Sequence, residues 1–204
     1  MFEMPIPEKG ERLILDDLCS TKYDFEKDDR KEWRDELVLE SAKDSNGCIR
    51  IEAEPFDEDV RVAGSVEVSF SAAINQPTCA LSAMLVDLGE KCRITSEEIP
   101  AKVDENPDEF VFGIEDKPSP YKIISRGWMN SQNRESSWSK TEIKAGEFYD
   151  YRFKMVPTDY TVKAGHKLLL ILYGTDADFT ARSEVVTEIR CDMNSLYVAI
   201  PLVH

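Results

Sequence analysis

From Gly64 onward the chain alternates with a period of two: Val66, Val68, Phe70 and Ala72 fall on one side, Ser65, Glu67, Ser69 and Ser71 on the other. Successive side chains of a strand point to opposite faces, so this run predicts a strand with one dry and one wet face. A second segment, Ala80 to Leu88, is apolar at nearly every position and is bracketed by Pro77 and Gly89. Those breakers favour a strand covered on both sides, or a central sandwich strand, over a buried helix.

The same signals predict strands at Glu36 to Glu40, where Leu37 and Leu39 share a face, and at Cys48 to Ala53, where Ile49 and Ile51 oppose Arg50 and Glu52. Further strands are predicted at Tyr121 to Trp128, Gly146 to Val156, Lys167 to Thr175, Val185 to Cys191 and Leu196 to Leu202. Turn signals such as Ala145-Gly146 and Ala164-Gly165 separate several of them. Pro100, Pro107, Pro118 and Pro120 among acidic residues predict a long loop at about 91–120 with one short strand, Glu109 to Ile114. Asp16 to Glu36 is dense in charge around Tyr23, Phe25 and Trp33, and reads as a leader or short helix leaning on this domain or on a neighbouring one. The prediction is an all-β fold: an antiparallel two-sheet β-sandwich of jelly-roll type over 36–204, preceded by a charged N-terminal leader over 1–35.

Charge narrows the partners. Lys plus Arg number 25 against 40 for Asp plus Glu, a net charge of -15 that repels phosphate backbones and anionic lipid heads. Nucleic acid and bare membrane are therefore set aside as partners. The longest apolar run, Leu168 to Tyr173, is strand-sized and far short of a membrane span. The five cysteines are scattered without a CxxC pair, which fits a reducing, cytoplasmic setting. Cys48, Cys79 and Cys191 lie in or beside predicted strands and read as small buried hydrophobes.

No catalytic apparatus emerges from the motifs. A GxSxG nucleophile elbow is absent, and the chain has two histidines to serve as a base. His204 is the last residue, and His166 precedes an apolar strand, where a strand-entry imidazole bonded to backbone is the expectation. Isolated histidines and scattered cysteines do not make a zinc set, and no glycine-rich loop cradles a phosphate, so neither metal nor cofactor is predicted. Asp57, Glu58, Asp59, Asp176 and Asp178 read as solvated acidic loops rather than calcium ligands. Trp128, Asn130, Gln132, Asn133, Arg134 and Trp138 supply stacking rings, amides and a guanidinium within eleven positions. A carbohydrate-binding module uses that palette, and so does a protein interface; composition leaves both open.

Several segments together carry a resemblance. Ile51-Glu52-Ala53-Glu54-Pro55-Phe56 leading to Val62-Ala63-Gly64 is similar to the opening of the C-terminal domain shared by Xaa-Pro dipeptidyl-peptidases, cocaine esterase and α-amino-acid ester hydrolases. Leu81 to Asp87 resembles the family's central strand, and Ser125 to Arg134 its RGW-x-x-x-QNR stretch. Tyr149 to Lys154, Pro157-Thr158, Tyr160 and Gly165-His166-Lys167-Leu168 follow in the family's order. The resemblance implies a galactose-binding-like jelly roll that follows an α/β-hydrolase domain in a serine exopeptidase removing Xaa-Pro dipeptides from peptide N-termini. It places the catalytic triad in that earlier domain and none of it here, so this chain is expected to be non-catalytic. The chain would then be an excised domain or the product of a truncated gene. The partner implied is the catalytic domain, with Arg126 to Arg134 as the contact, and a homo-oligomer is a further assembly open to it.

Overall fold

The computed structural model describes residues 1–18, 30–39, 46–95, 113–114 and 117–203. Its strands are β1 (Phe2–Glu3), β2 (Glu11–Asp16), β3 (Cys48–Glu52), β4 (Val60–Gly64), β5 (Glu67–Ile74), β6 (Ala80–Lys91), β7 (Ile94–Thr95), β8 (Gly113–Ile114), β9 (Ser119–Asn130), β10 (Phe148–Lys154), β11 (Thr158–Val162), β12 (Lys167–Tyr173), β13 (Thr187–Ile200) and β14 (Leu202–Val203). Among the described residues one α-helix, α1 (Arg30–Val38), joins them. Of the strand expected at Glu109 to Ile114, the last two residues form β8 and the others lie outside the described residues, as do Cys19, Tyr23, Phe25 and His204.

The strands form mainly antiparallel sheets. One is ordered β1-β13-β5-β10, with β2 also paired to β13; a second is ordered β3-β12-β6-β9; a third, smaller one is ordered β11-β4-β14. The main core lies between the first two. Val68, Phe70 and Ala72 of β5, with Ile189 and Val198 of β13, pack towards Leu81, Ala83 and Leu85 of β6 and Leu168, Leu170 and Leu172 of β12. The period of two in β5 thus divides the sheet as expected: Val68, Phe70 and Ala72 are buried and Ser69 and Ser71 half-buried.

The alternate residues of β6 and β12 fill a second core. Met84, Val86, Leu169, Ile171 and Tyr173 pack with Leu18 and with Trp33, Leu37 and Val38 of α1. The four-stranded sheet is therefore covered on both faces, one by a sheet and one by a helix, which is why Ala80 to Leu88 and Leu168 to Tyr173 carry so little polarity.

Helix α1 corrects the strand expected at Glu36 to Glu40. Leu37 and Leu39 alternate, but Trp33 and Leu37 stand one helical turn apart and share a face. Burial of the larger pair decides the conformation: Trp33 is 3% exposed and meets the Tyr173 ring edge-on at 6.1 Å. The helix C-terminus leaves carbonyls without partners inside the helix, and Arg50 of β3 answers them. Its Nη1 donates to Leu37 O at 2.9 Å, to Leu39 O at 3.2 Å and to Val38 O.

The residues expected as a leader also contribute strands, since β1 and β2 both pair with β13. Gly10, at φ 83°, turns the chain into β2. At the other end of β2, Asp16 is buried and accepts the Thr175 N–H and hydroxyl, both at 2.7 Å. β13 itself runs through the gap expected between two strands, because the register shift between Asp192 and Tyr197 is bridged by side chains. Ser195 Oγ accepts the Ser71 N–H and donates to Asp192 O, each at 2.7 Å. Among the described residues no helix is long and apolar enough to cross a membrane.

Trp33→Ala should lower the stability of the chain by about 3–5 kcal/mol, read from urea denaturation, because a large buried ring is removed from the helix face. An unchanged midpoint would show that α1 does not seal the sheet.

Candidate functional site

Strand β9 carries Arg126, Gly127 and Trp128 past the point where the chain leaves β10. Val156 N–H donates to Arg126 O at 2.7 Å, and the Ser125 hydroxyl donates to Val156 O at 2.6 Å. Gly127 is required by this crossing: a Cβ there would stand 2.8 Å from the Met155 Cα.

Arg126 reaches from β9 to the loop after β12. Its Nη1 lies 3.0 Å from both carboxylate oxygens of Asp176 and 2.8 Å from Asp178 Oδ2. Asp176 is fully buried, accepts the Tyr173 hydroxyl and receives the Asp178 N–H at 2.9 Å. The expectation of solvated carboxylates is corrected here: Asp176 and Asp178 are ion-paired, because a guanidinium on the neighbouring strand reaches both. Burial works against the Arg126 charge, yet Asp176, Tyr173 and Asp178 outweigh it and hold the guanidinium above its ordinary range. Burial, then the Asp176 charge, pushes the Tyr173 phenol well up. Helix α1 closes the cluster, with Arg34 at 3.2 Å and Arg30 at 3.6 Å from Asp178.

The pinned loop presents Phe179, which sequence reasoning missed; the one signal was an aromatic residue alone in the Asp176-Ala177-Asp178-Phe179-Thr180 stretch. Its ring stacks on Trp128 with centroids 4.9 Å apart and planes 6° from parallel, and the Arg126 guanidinium lies 5.2 Å from it. Phe179 is 57% exposed and Trp128 39%. Beside this wall an open groove of about 740 Å³ runs along β9, lined by Tyr121, Lys122, Ile124, Val156, Arg30 and Arg34 among others.

The other sequence-predicted residues are spent differently. Asn130 Oδ1 accepts the Gln132 N–H at 2.9 Å and the Thr78 hydroxyl at 3.1 Å, capping the 3-10 turn Ser131–Asn133. Asn133 Nδ2 donates to Ser136 O and Ser139 O, and Gln132 O accepts the Thr141 N–H. Arg134 lies 4.3 Å from the Tyr149 ring centroid, and Trp138 projects almost free at 96% exposure. The structure thus joins Arg126 to Trp128, uses Asn130, Gln132, Asn133 and Arg134 to build a turn, and leaves Trp138 apart. Nothing in this arrangement favours carbohydrate binding: one face of Trp128 is taken by Phe179, and the amides of Asn130 and Asn133 are engaged within the loop.

A second polar cluster is buried at the far end of β6. The His166 Nδ1 lies 2.8 Å from Asp87 Oδ1, so the expected backbone partner of the imidazole is corrected to a carboxylate that β6 brings beside it. Asp87 is fully buried, accepts the Tyr160 hydroxyl at 2.8 Å and pairs with Arg93 at 3.2 Å. Arg93 also donates to Gly89 O at 2.6 Å and Ser119 Oγ at 3.0 Å. An Asp-His pair could orient a general base, but no Ser, Thr or Cys is among the hydrogen-bond partners found for His166 among the described residues. The same residues hold no group of three or more His, Cys, Asp or Glu able to ligate a metal.

Comparison with known proteins gives one consistent set. A family model described as the X-Pro dipeptidyl-peptidase C-terminal non-catalytic domain matches residues 11–203. The Xaa-Pro dipeptidyl-peptidase of Pediococcus pentosaceus is 30% identical over 203 residues, covering 93% of this chain and 25% of that protein. That of Lactobacillus delbrueckii subsp. lactis is 30% identical over 178 residues, 84% of this chain and 22% of the relative. The chain therefore spans about a quarter of the curated relatives it matches. Among solved structures, an α-amino acid ester hydrolase superposes with a TM-score of 0.63 at 15% identity, over 97% of this chain and 33% of its own. An aminopeptidase from a marine sediment Thaumarchaeota archaeon gives 0.61 at 15%, over 98% and 34%. At that identity the two structures show a shared fold.

Two outcomes follow from the buried groups. Asp87→Ala leaves Arg93 buried without its carboxylate and should lower stability by about 3–5 kcal/mol in urea denaturation, whereas a near-neutral result would show that water replaces the pair. Burial pushes the thiols of Cys79 and Cys191 up to about 12 and that of Cys48 to about 11. The folded chain then keeps protons that the unfolded chain releases above the ordinary thiol pKa of ~8.5. This contribution to stability is complete below that pH and is lost as pH rises through the folded values. In native chain treated with iodoacetamide at neutral pH, mass spectrometry should find Cys92, which is exposed, alkylated and these three intact. Alkylation of all four at one rate would contradict their burial.

Proposed function

This chain belongs to the family of X-Pro dipeptidyl-peptidase C-terminal non-catalytic domains, and from that membership we propose that it is the accessory domain of a serine exopeptidase. The parent removes Xaa-Pro dipeptides from peptide N-termini, and this domain packs against its α/β-hydrolase domain to shape access or assembly. Residues 36–204 are the body of the domain, a galactose-binding-like jelly roll, and 1–35 connect it to what precedes while lending strands to its sheet. The facing sheets support that architecture, and the free buried thiols support a cytoplasmic setting.

The observation that carries the reading is the exposed Trp128–Phe179 stack on a strand and loop pinned by Arg126. Exposed aromatic rings held rigid beside an arginine are the usual anchors of protein contacts, since little side-chain freedom is lost when a partner covers them. Of the remaining candidates, Asn130, Gln132, Asn133 and Arg134 support the turn that leads from β9, and Trp138 adds a second exposed ring near it.

The isolated chain should release no chromophore from an Xaa-Pro p-nitroanilide and take no label from an active-site serine probe; turnover or labelling would overturn the non-catalytic assignment. With the α/β-hydrolase domain supplied separately, sedimentation should show a complex that Trp128→Ala weakens by about ten-fold or more. Equal affinity of the variant would move the contact elsewhere.

A further inference from the structure

Strand β2 ends on Asp16, which shares a face with the core residue Ile14 and is 6% exposed. Three donors face its carboxylate. Leu18 N–H reaches Oδ1 at 3.4 Å, and Thr175 gives Oδ2 both its N–H and its hydroxyl at 2.7 Å. The chain passes this close because residue 174 is glycine: a Cβ there would collide with Asp16 Oδ2. All three donors are neutral, and no ion pair of Asp16 is found among the described residues. A clasp between β2 and β12 needs no charge, since an amide oxygen would accept the Thr175 bonds equally well. Buried charges are otherwise paired, as Asp87 is with Arg93 and Asp176 with Arg126. Asp16 lacks that counter-ion, and Oδ1, with one long hydrogen bond, keeps acceptor capacity.

The same carboxylate lies in the wall of a pocket of about 400 Å³ where β9 ends, beyond the Trp128–Phe179 stack. That volume suits a small molecule. Trp128, Met129 and Phe179 supply the apolar part of the lining, and Thr78 a hydroxyl. The hydroxyl gives its proton to Asn130 Oδ1 and so keeps lone pairs for a second donor. Arg182, also in the lining, makes contacts of its own and forms no ion pair with Asp16. A hard metal cation needs more oxygens than one carboxylate provides, and no group of three or more His, Cys, Asp or Glu stands together among the described residues. An organic ammonium needs one carboxylate, a second acceptor and an aromatic flank, and the pocket has all three.

We propose that this pocket binds a small primary ammonium compound with a compact apolar body, the ammonium pairing with Asp16 and the body lying along Trp128 and Phe179. The ligand supplies the counter-ion that the buried carboxylate lacks, and it ties together β2, the end of β9 and the loop after β12. The inference goes beyond the accessory-domain reading and does not rest on it, since every residue of the site belongs to this chain.

The test uses the whole 204-residue chain, without any hydrolase domain, and phenethylammonium as the probe, with phenethyl alcohol and hydrocinnamate as neutral and anionic controls of like shape. Calorimetry should show saturable binding of the ammonium, tighter than that of either control by about ten-fold or more. In NMR spectra the Trp128 indole N–H and the Thr180 amide should shift with the same saturation. Asp16→Asn, which keeps an acceptor for Thr175, should weaken binding by about ten-fold or more. Ala181→Trp, at an exposed position of the lining, should block the pocket while leaving Asp16 in place. Each variant is first shown to melt like the parent; if Asp16→Asn fails to fold, the three probes and Ala181→Trp decide. Absence of binding, equal binding of the alcohol or the carboxylate, or affinity unchanged in a folded Asp16→Asn or in Ala181→Trp would overturn the proposal.

Discussion

Burying both faces of the β3-β12-β6-β9 sheet is the constraint on which the rest of the molecule depends. Strands as apolar as β6 and β12 need a layer on each side, and the chain supplies two of different kinds. The β13-centred sheet closes one face. Helix α1, drawn from a charged segment with little apolar periodicity, closes the other with Trp33, Leu37 and Val38. A nine-residue helix is too short to persist alone, so its existence reports the packing beneath it.

Layers stacked in this way must be held in register, and buried charge does much of that. Asp16 joins β2 to the end of β12, Arg50 joins β3 to the C-terminus of α1, and Asp87 joins β6 to Arg93, Tyr160 and His166. Net stabilisation by such pairs is small once desolvation is counted, but a broken one leaves an uncompensated charge, so each discriminates against a shifted packing. Arg126 with Asp176 and Asp178 belongs to this set, and has a second consequence. By tying the loop after β12 to β9 it places Phe179 on Trp128 and creates the one stacked pair of exposed rings found among the described residues.

The β-rich class and most strands were legible because period two and Pro-Gly punctuation are local properties. Ala80 to Leu88 even announced its double burial. What covers it was not legible: Trp33 and Leu37 declare a helix face only once a flat apolar surface stands beneath them, and over five residues Leu37 and Leu39 read equally well as a strand. The gap in β13 misled because Asp192, Asn194 and Ser195 carry turn-type side chains, and here Ser195 bridges the ladder instead of ending it. At the candidate site Arg126 and Trp128 were visible, whereas Phe179 was not. Its importance comes from an ion pair spanning 50 residues of sequence, and no spacing rule encodes that.

The central claim is that this surface exists to meet a partner domain rather than a substrate. Hydrogen exchange read by mass spectrometry, on the chain alone and with the α/β-hydrolase domain proposed as its partner, tests it most directly. The expected result is slowed exchange in the peptides containing Trp128 and Phe179, with β6 and β12 unchanged because both states already bury them. Slowed exchange confined to segments remote from those two rings, or none at all, would contradict the claim.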